Sequence, residues 1–149
     1  MRQQINQAPP RLQIDPIAIL EDNGHRPTSQ RCTLARLLQT RHEGFSAEEV
    51  CKALPEIGRA TIYRTIKLFL TAGVLCRLVL PDGAPKYALA RPDHHHHTVC
   101  VKCGTVSEFR DGTVERVLRA VGSEIPGEIV SHRMELYLVC QACLDKTKD

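Results

Sequence analysis

Two Cys-x-x-Cys pairs bracket the second half of this 149-residue chain and limit how that half can fold. The pairs are Cys100-Val101-Lys102-Cys103 and Cys140-Gln141-Ala142-Cys143. Four thiolates from two such pairs complete the tetrahedral coordination of zinc and leave no open position for catalysis, which is typical of a structural site. Two disulfides or a redox-active dithiol are the alternatives that this spacing leaves open. We predict one shared structural zinc ion.

The cysteine count and the distribution of apolar residues predict a cytoplasmic protein. Seven cysteines are an odd number, so at least one thiol is unpaired, and residues 1–13 contain no apolar stretch that could act as a secretory signal. No run of about 18 apolar residues occurs, so we expect no membrane span.

Positive charge is concentrated in the first half of the chain. Residues 1–90 hold 12 lysines and arginines against 8 acidic residues, whereas residues 91–149 hold 8 against 9. Residues 58–77 contain four basic residues and no acidic residue. This excess indicates that the first half binds an anion such as nucleic acid, although a solvated charged surface gives the same pattern.

Capping signals and periodic apolar residues predict a winged helix-turn-helix in the first half. The Ser46 to Glu49 capping box opens one helix, and Gly73 ends the last one. A hairpin with a Pro81-Asp82-Gly83 turn follows directly. The predicted elements are a helix with Ile17 and Leu20, a helix capped by Thr28, a helix from Ser46, a helix at 59–72 and strands at 74–80 and 85–89.

The exposed side of the fourth helix has the residues of a DNA recognition helix. Arg59, Tyr63 and Lys67 follow one another at four-residue intervals, and Arg64 lies beside them. An ordinary helical bundle with a basic edge is the alternative. We expect residues 1–90 to form a winged-helix domain that binds double-stranded DNA.

The pattern changes to α+β beyond a predicted hinge at residues 91–93. The hinge contains Pro92, which stiffens an extended segment, between two charged residues. The predicted elements beyond it are strands at 94–101, 105–109 and 128–139 and a helix at 113–121. We therefore expect an α+β protein with a second, metal-binding domain at residues 94–149.

A run of four histidines, residues 94–97, lies just ahead of the first cysteine pair. Successive side chains on a strand point to opposite faces, so His94 and His96 lie on one face and His95 and His97 on the other. The run can therefore supply ligands to two different metal ions. A solvated histidine tract and a cloning artefact are the alternatives.

Seven segments, taken in order over residues 15–144, resemble the ferric uptake regulator family. They are Arg26-Pro27-Thr28-Ser29-Gln30-Arg31, Ser46-Ala47-Glu48-Glu49, Ala60-Thr61-Ile62-Tyr63-Arg64-Thr65, Asp93 with the four histidines, Cys100-x-x-Cys103-Gly104, Ser107-Glu108-Phe109-Arg110-Asp111, and His132 ahead of Cys140-x-x-Cys143. The resemblance implies a homodimeric repressor, not an enzyme, with a winged helix on DNA and a C-terminal α/β dimerisation domain. It also implies that Tyr63 and Arg64 contact bases and phosphates and that Arg26 reaches the minor groove.

The same resemblance assigns metal ligands by their spacing from Cys100. The structural site matches the four cysteines of the two pairs. Two regulatory sites match a dimerisation-domain set and a hinge set. The first set is His94, His96, Glu115 and His132, and the second includes His95, His97 and Glu108.

The hinge set lacks two ligands of the family's iron and peroxide sensors. Their histidine ahead of the Ser-Ala-Glu box is replaced by Gly44-Phe45, and their acidic residue after Tyr87 is replaced by Ala88. Cys76, on the first wing strand, stands where zinc-sensing members place a ligand. A soft thiolate favours zinc over iron(II) or manganese(II). A small buried hydrophobe is the alternative role for Cys76.

We therefore predict a zinc-responsive regulator with zinc as corepressor, bound as a homodimer to a palindromic operator and acting on no small-molecule substrate. An iron, manganese or peroxide sensor of the same family is one alternative. A zinc-dependent hydrolase is an alternative from a different class, but it leaves the basic helix and hairpin unexplained and provides no general base beside a three-ligand metal.

Overall fold

Capped helices build the N-terminal half of the protein, in a computed structural model that describes residues 14–41, 43–91 and 94–146. Thr28 caps the second helix by accepting a hydrogen bond from the backbone N–H of Arg31. The predicted capping box is present, since Ser46 and Glu49 each accept a hydrogen bond from the other's backbone N–H. The helices are α1 (Pro16–Asp22), α2 (Ser29–Gln39), α3 (Ala47–Ala53) and α4 (Arg59–Thr71).

Apolar stripes on these helices meet in one core. The stripes of α2 and α4 are buried as their periodicity predicts, because residues three and four apart share one helix face. Phe45, between α2 and α3, is 1% exposed and packs against Tyr87. Members of this core include Leu20, Leu34, Leu38, Phe45, Val50, Ile62, Ile66, Phe69 and Val74.

The predicted wing is confirmed as an antiparallel hairpin of β1 (Leu75–Val79) and β2 (Pro85–Leu89). Gly83 has a φ of 85° in the turn between them, a conformation that glycine adopts without steric cost. The hairpin directly follows α4, so the arrangement is that of a winged helix.

A three-stranded sheet with two helices forms the C-terminal half. Its strand order is β4-β3-β5, with β4 antiparallel and β5 parallel to the central β3. The elements are β3 (His96–Cys100), β4 (Val106–Phe109), α5 (Gly112–Gly122), β5 (Glu135–Leu138) and α6 (Gln141–Asp145). The α+β fold class is confirmed.

The long strand predicted at 128–139 is wrong in length. Only Glu135–Leu138 forms a strand, because its partner β3 has just five residues and the preceding segment has no strand beside it. Strand β3 also begins two residues later than predicted, at His96. Helix α6 was not predicted, since its single turn is too short to show apolar periodicity.

The wing packs against the C-terminal sheet through a small second core. Leu78 and Ala88 of the wing meet Val99 and Val106 of the sheet in one buried cluster. The loop ahead of α3 also touches the sheet, because the Val106 backbone N–H donates to the Glu43 carbonyl oxygen at 2.9 Å. These contacts fix the wing relative to the domain that follows it.

The second side of the wing is held by polar contacts from β5 and the segment before it. The Tyr137 hydroxyl donates to the Val79 carbonyl oxygen at 2.8 Å, and the Arg133 guanidinium donates to the Arg77 carbonyl oxygen. Pro92 and Asp93 of the predicted hinge lie outside the described residues. No helix among the described residues has the length and apolar content to cross a membrane.

Candidate metal centres and nucleic-acid interface

The four cysteines of the two pairs form one cluster at an end of the C-terminal sheet. The Sγ atoms of Cys100 and Cys143 are 3.9 Å apart, and those of Cys103 and Cys140 are 3.7 Å apart. Thiolates placed about 2.3 Å from a tetrahedral zinc ion are about 3.8 Å from one another. The spacing fits a single four-thiolate metal site, and all four thiols are free rather than joined as disulfides.

The acidity of these thiols also suits a bound cation. Backbone N–H groups, that of Cys140 first and that of Cys103 second, lower the pKa of Cys100 to about 6. The neighbouring thiols of Cys140 and Cys103 raise the pKa of Cys143 to about 12. Hydrogen bonds from Thr105 also lower the pKa of Cys103. The protein alone therefore favours thiolates at Cys100 and Cys103 but not at Cys143, and four thiolates together require a metal cation to offset their repulsion.

A second cluster combines three imidazoles with one carboxylate, contributed by His94, His96, Glu115 and His132. Glu115 lies in the first turn of α5, and its Oε1 is 3.1 Å from His94 Nε2 and 3.0 Å from His96 Nε2. His132 Nε2 is 3.5 Å from the same oxygen. Donors about 2.1 Å from a tetrahedral ion are about 3.4 Å apart, so the spacing suits an ion of the size of zinc.

The electrostatics of this second cluster favour an ionised carboxylate. Burial raises the pKa of Glu115, but the His96 hydrogen bond and the neighbouring His94 and His132 imidazoles outweigh it and lower the pKa below its ordinary value. An ionised carboxylate beside three imidazoles is a donor set that binds divalent transition metals.

A third cluster lies where the wing meets the C-terminal sheet. The ligand atoms of Cys76, His95 and His97 lie within 4.8 Å of one another. Cys76 belongs to β1, and His97 belongs to β3, so the cluster joins the two halves of the fold. The three residues line a cavity of about 600 Å³.

Burial sets the protonation of this third cluster. Desolvation, aided by His95, lowers the pKa of His97 to about 4, and desolvation also lowers the pKa of His95. Both imidazoles are therefore neutral at pH 7, as metal ligands must be. Nε2 of His97 is buried and has no hydrogen-bond partner among the described residues. A buried, unsatisfied nitrogen is costly unless a metal or a proton donor binds it.

Glu108, the predicted fourth hinge ligand, does not join this cluster. Its carboxylate accepts a hydrogen bond from Arg91, with 2.7 Å between Nη1 and Oε2. The two side chains are only 11% and 19% exposed, so the carboxylate requires a cationic partner and Arg91 supplies it. Glu108 nevertheless lies next to His97 across the β3–β4 ladder.

The exposed face of α4 carries the residues predicted to contact DNA. Tyr63 is 45% exposed, while Ile62 and Ile66 of the same helix are buried. The side chains of Arg64 and Lys67 are exposed and form no hydrogen bond or ion pair with other described residues. Arg26 is exposed two residues ahead of the α2 cap, as access to a groove requires.

Arg59 and Tyr63 are bound to a residue that the sequence did not single out. Glu48 of α3 accepts hydrogen bonds from Arg59 Nη1 at 2.9 Å, from Arg59 Nη2 at 2.5 Å and from the Tyr63 hydroxyl at 2.8 Å. These hydrogen bonds, that of Arg59 first, lower the pKa of Glu48 to about 2. Arg59 lies 11 positions further along the chain, which is not a helical spacing, so no local pattern predicts the contact.

A winged helix with a basic exposed helix, followed by a sheet domain rich in convergent metal ligands, defines a metal-responsive DNA-binding regulator. Residues 22–137 match the ferric uptake regulator family. The chain belongs to this family, so the resemblance seen in the sequence is confirmed. It is a metal-responsive transcriptional regulator and not an enzyme, which excludes the hydrolase alternative.

Individual relatives are similar over most of the chain. The ferric uptake regulation protein of Neisseria meningitidis serogroup A is 40% identical over 137 residues, which cover 89% of this chain and 95% of that protein. The Vibrio cholerae ferric uptake regulator superposes with a TM-score of 0.72 at 32% identity, covering 85% of this chain and 100% of that one. A zinc-bound manganese uptake regulator superposes with a TM-score of 0.68 at 34% identity, covering 85% and 99%.

Proposed function

We propose that this regulator is a zinc-responsive repressor of metal-uptake and metal-homeostasis genes, with zinc as its corepressor. The observation that carries the proposal is the partly buried cluster of Cys76, His95 and His97 between the wing and the C-terminal sheet. Burial raises the pKa of the Cys76 thiol, so a bound metal must displace its proton. The resulting thiolate with two imidazoles is a donor set that zinc binds well, whereas iron(II) and manganese(II) prefer sites rich in oxygen and nitrogen.

The names of similar proteins favour a second candidate, an iron- or manganese-responsive regulator of the same family. The hinge region of this chain argues against it. Gly44 and Phe45 stand where the iron sensors have a histidine, and Ala88 stands where they have an acidic residue. The Phe45 side chain is a hydrocarbon with no ligand atom, and it packs in the helical core.

Metal at the third cluster would act by coupling the wing to the C-terminal sheet. Cys76 belongs to the wing, whereas His95 and His97 belong to the segment that enters β3. An ion held by all three residues favours the arrangement in which they converge, and differential affinity for that arrangement shifts the population toward the DNA-binding form. We propose residues 1–90 as the DNA-binding domain, 91–93 as the hinge and 94–149 as the dimerisation domain.

Glu108 remains our proposed fourth ligand at this cluster. It is adjacent to His97 across the β3–β4 ladder, but its carboxylate is held by Arg91. Coordination by Glu108 therefore requires that the metal replace Arg91 as the cationic partner. Arg91 directly precedes the predicted hinge residues Pro92 and Asp93, so its release would reach the connection between the domains.

The other two clusters receive different roles in this proposal. The four cysteines hold a structural zinc ion, because a complete thiolate tetrahedron leaves no position for exchange. The set of His94, His96, Glu115 and His132 is a second regulatory site. It lies wholly within the C-terminal half, so its occupancy acts on the dimerisation domain rather than directly on the wing.

A homodimer is supported by apolar surface on the C-terminal half. Val117 and Val121 of α5 are 55% and 45% exposed, and α5 buries no residue within the described chain although it is strongly amphipathic. Leu136 and Leu138 on the edge strand β5 are also exposed. Exposed apolar side chains of this kind, on a helix and an edge strand, are typical of a protein interface. A twofold dimer presents two α4 helices, which suits a palindromic operator.

Zinc is expected to promote DNA binding at a lower free concentration than iron(II) or manganese(II). The reason is the Cys76 thiolate, which favours the softer ion. The test uses protein purified without oxygen, with its metal content measured, and a fluorescent duplex that the protein itself selects from a random pool. Buffered titrations with each metal then follow DNA binding by anisotropy. Saturation by iron(II) below the zinc concentration would contradict the zinc assignment and leave the regulator class intact.

Tyr63→Ala and Arg64→Ala are each expected to weaken binding to the selected duplex by about 1–3 kcal/mol, because both remove a contact from α4 to base edges or phosphates. Lys67→Ala should weaken binding to all duplexes by the same factor and reduce the salt dependence of the DNA affinity. Metal content and melting temperature should not change, since all three side chains are exposed. If Tyr63→Ala and Arg64→Ala both bound the selected duplex like the wild type, α4 would not be the recognition helix.

A further inference from the structure

We propose that Glu48 determines the DNA specificity of this regulator by holding Arg59 and Tyr63 in one arrangement and by cancelling the charge of Arg59. The proposal rests on the proposed function, in which α4 contacts DNA. Glu48 belongs to α3 and does not itself contact DNA. It acts through Arg59 and Tyr63 of α4, which do.

Both carboxylate oxygens of Glu48 are used in this contact. Oε1 accepts from Arg59 Nη2 and from the Tyr63 hydroxyl, and Oε2 accepts from Arg59 Nη1. The two parallel N–H···O bonds of an arginine fork fix the plane of the guanidinium as well as its position. The same carboxylate fixes the rotation of the Tyr63 hydroxyl. Two side chains on the DNA-facing side of α4 therefore share one anchor.

The Glu48–Arg59 ion pair is exposed to solvent and contributes little to the stability of the fold. The side chains of Arg59 and Glu48 are 64% and 51% exposed, and exposed ion pairs add little to the free energy of unfolding. The packing of α3 on α4 rests instead on buried apolar residues such as Val50 and Ile62. A bidentate pair that the fold does not require is consistent with a role at the DNA surface.

The charges on α4 thus fall into two groups. Arg64 and Lys67 form no hydrogen bond or ion pair through their side chains with other described residues, so they can meet phosphates on any DNA sequence. Arg59 is neutralised and oriented by Glu48, so it contributes less to sequence-independent attraction. Reducing non-specific affinity while keeping directed contacts raises the ratio of specific to non-specific binding.

The test replaces Glu48 by glutamine, which keeps its shape and removes its charge. The matched control is Glu56→Gln, which removes the same charge from the turn just ahead of α4, where the Glu56 side chain is exposed and has no hydrogen bond or ion pair with other described residues. Binding is measured by anisotropy over a salt series, with the wild-type-selected duplex and a shuffled duplex of the same composition. Melting temperature and zinc content are measured on every variant.

Glu48→Gln is expected to tighten binding to the shuffled duplex by roughly fivefold near 0.1 M salt and to steepen the salt slope by about 0.9 per chain, as release of one cation to a phosphate predicts. The ratio of specific to shuffled binding should fall. Glu56→Gln should leave that ratio unchanged. Adding Arg59→Ala to Glu48→Gln should restore the wild-type salt slope, because no released cation remains.

An unchanged ratio of specific to shuffled binding in Glu48→Gln would overturn the proposal. If that unchanged ratio came with an equal loss of affinity for both duplexes, Glu48 would be a structural residue. Arg64→Ala separates this failure from failure of the proposed function. If Arg64→Ala weakens the selected duplex while the Glu48→Gln ratio is unchanged, α4 binds DNA and only the role of Glu48 is refuted. If neither variant changes any binding, α4 is not at the DNA.

Discussion

Cys140→Ser is expected to lose the zinc ion of the four-cysteine cluster and to give a monomeric or misfolded protein. The C-terminal half has little apolar core of its own, because neither α5 nor α6 buries a residue and the second core has only four members. A structural zinc ion contributes about 10 kcal/mol or more of folding free energy. The whole free energy of unfolding of a typical domain is about 5–15 kcal/mol, so this loss is as large as the stability of the domain itself.

The measurement combines metal analysis, size-exclusion chromatography and circular dichroism of the variant. Cys103→Ser should behave in the same way, because its thiol lies 3.7 Å from that of Cys140. Cys32→Ser is the control, since Cys32 is a free thiol on α2 away from the cluster. A Cys140→Ser protein that stayed dimeric with its full zinc content would refute the structural assignment of this site.

Cys76→Ser is expected to abolish or greatly weaken the zinc dependence of DNA binding while the four-cysteine zinc and the fold remain. The substitution removes the wing's donor at the third cluster, so metal can no longer favour the converged arrangement. Couplings of this kind are about 1–3 kcal/mol, which corresponds to about 5- to 150-fold in affinity. His97→Ala should give the same result from the other side of the cluster.

Controls for this prediction come from the neighbouring cluster on the opposite strand face. His96→Ala and His132→Ala should reduce metal occupancy of the dimerisation-domain site and change the zinc response more mildly. DNA binding is followed by anisotropy in zinc-buffered solution, with structural zinc measured in parallel. If Cys76→Ser responded at wild-type zinc concentrations, Cys76 would be a packing residue and the preference for zinc would lose its main support.

Local signals predicted most of the N-terminal half and the grouping of the histidines. The Ser46 capping box and the Thr28 cap are short-range patterns with one physical solution, and both form as expected. Strand alternation separates His96 from His97 into different clusters, although β3 begins only at His96. The residues that the structure brings together into three clusters are those the sequence suggested, apart from Glu108. Their roles as ligands remain predictions.

The sequence did not predict contacts between residues far apart in the chain. The start of β5 depends on where its parallel partner β3 begins, and nothing within residues 128–139 encodes that limit. Arg91 was interpreted only as a charged hinge residue, whereas it is the ion-pair partner of the partly buried Glu108 carboxylate. Glu48 was read as part of a cap, and its contact with Arg59 depends on the packing angle between α3 and α4. Each of these unpredicted features depends on a residue or strand far away in the chain.

The loop that joins α2 to α3 also bears on how this regulator can evolve. Gly44 has a φ of 76°, and a Cβ atom there would lie 2.9 Å from Val106 Cγ2, so a histidine at this position would strain the backbone and require the Val106 side chain to shift. Phe45 is 1% exposed against Tyr87, and an imidazole there would be buried without a partner. A descendant with the iron-type ligand would therefore need coordinated replacements on both sides of this contact.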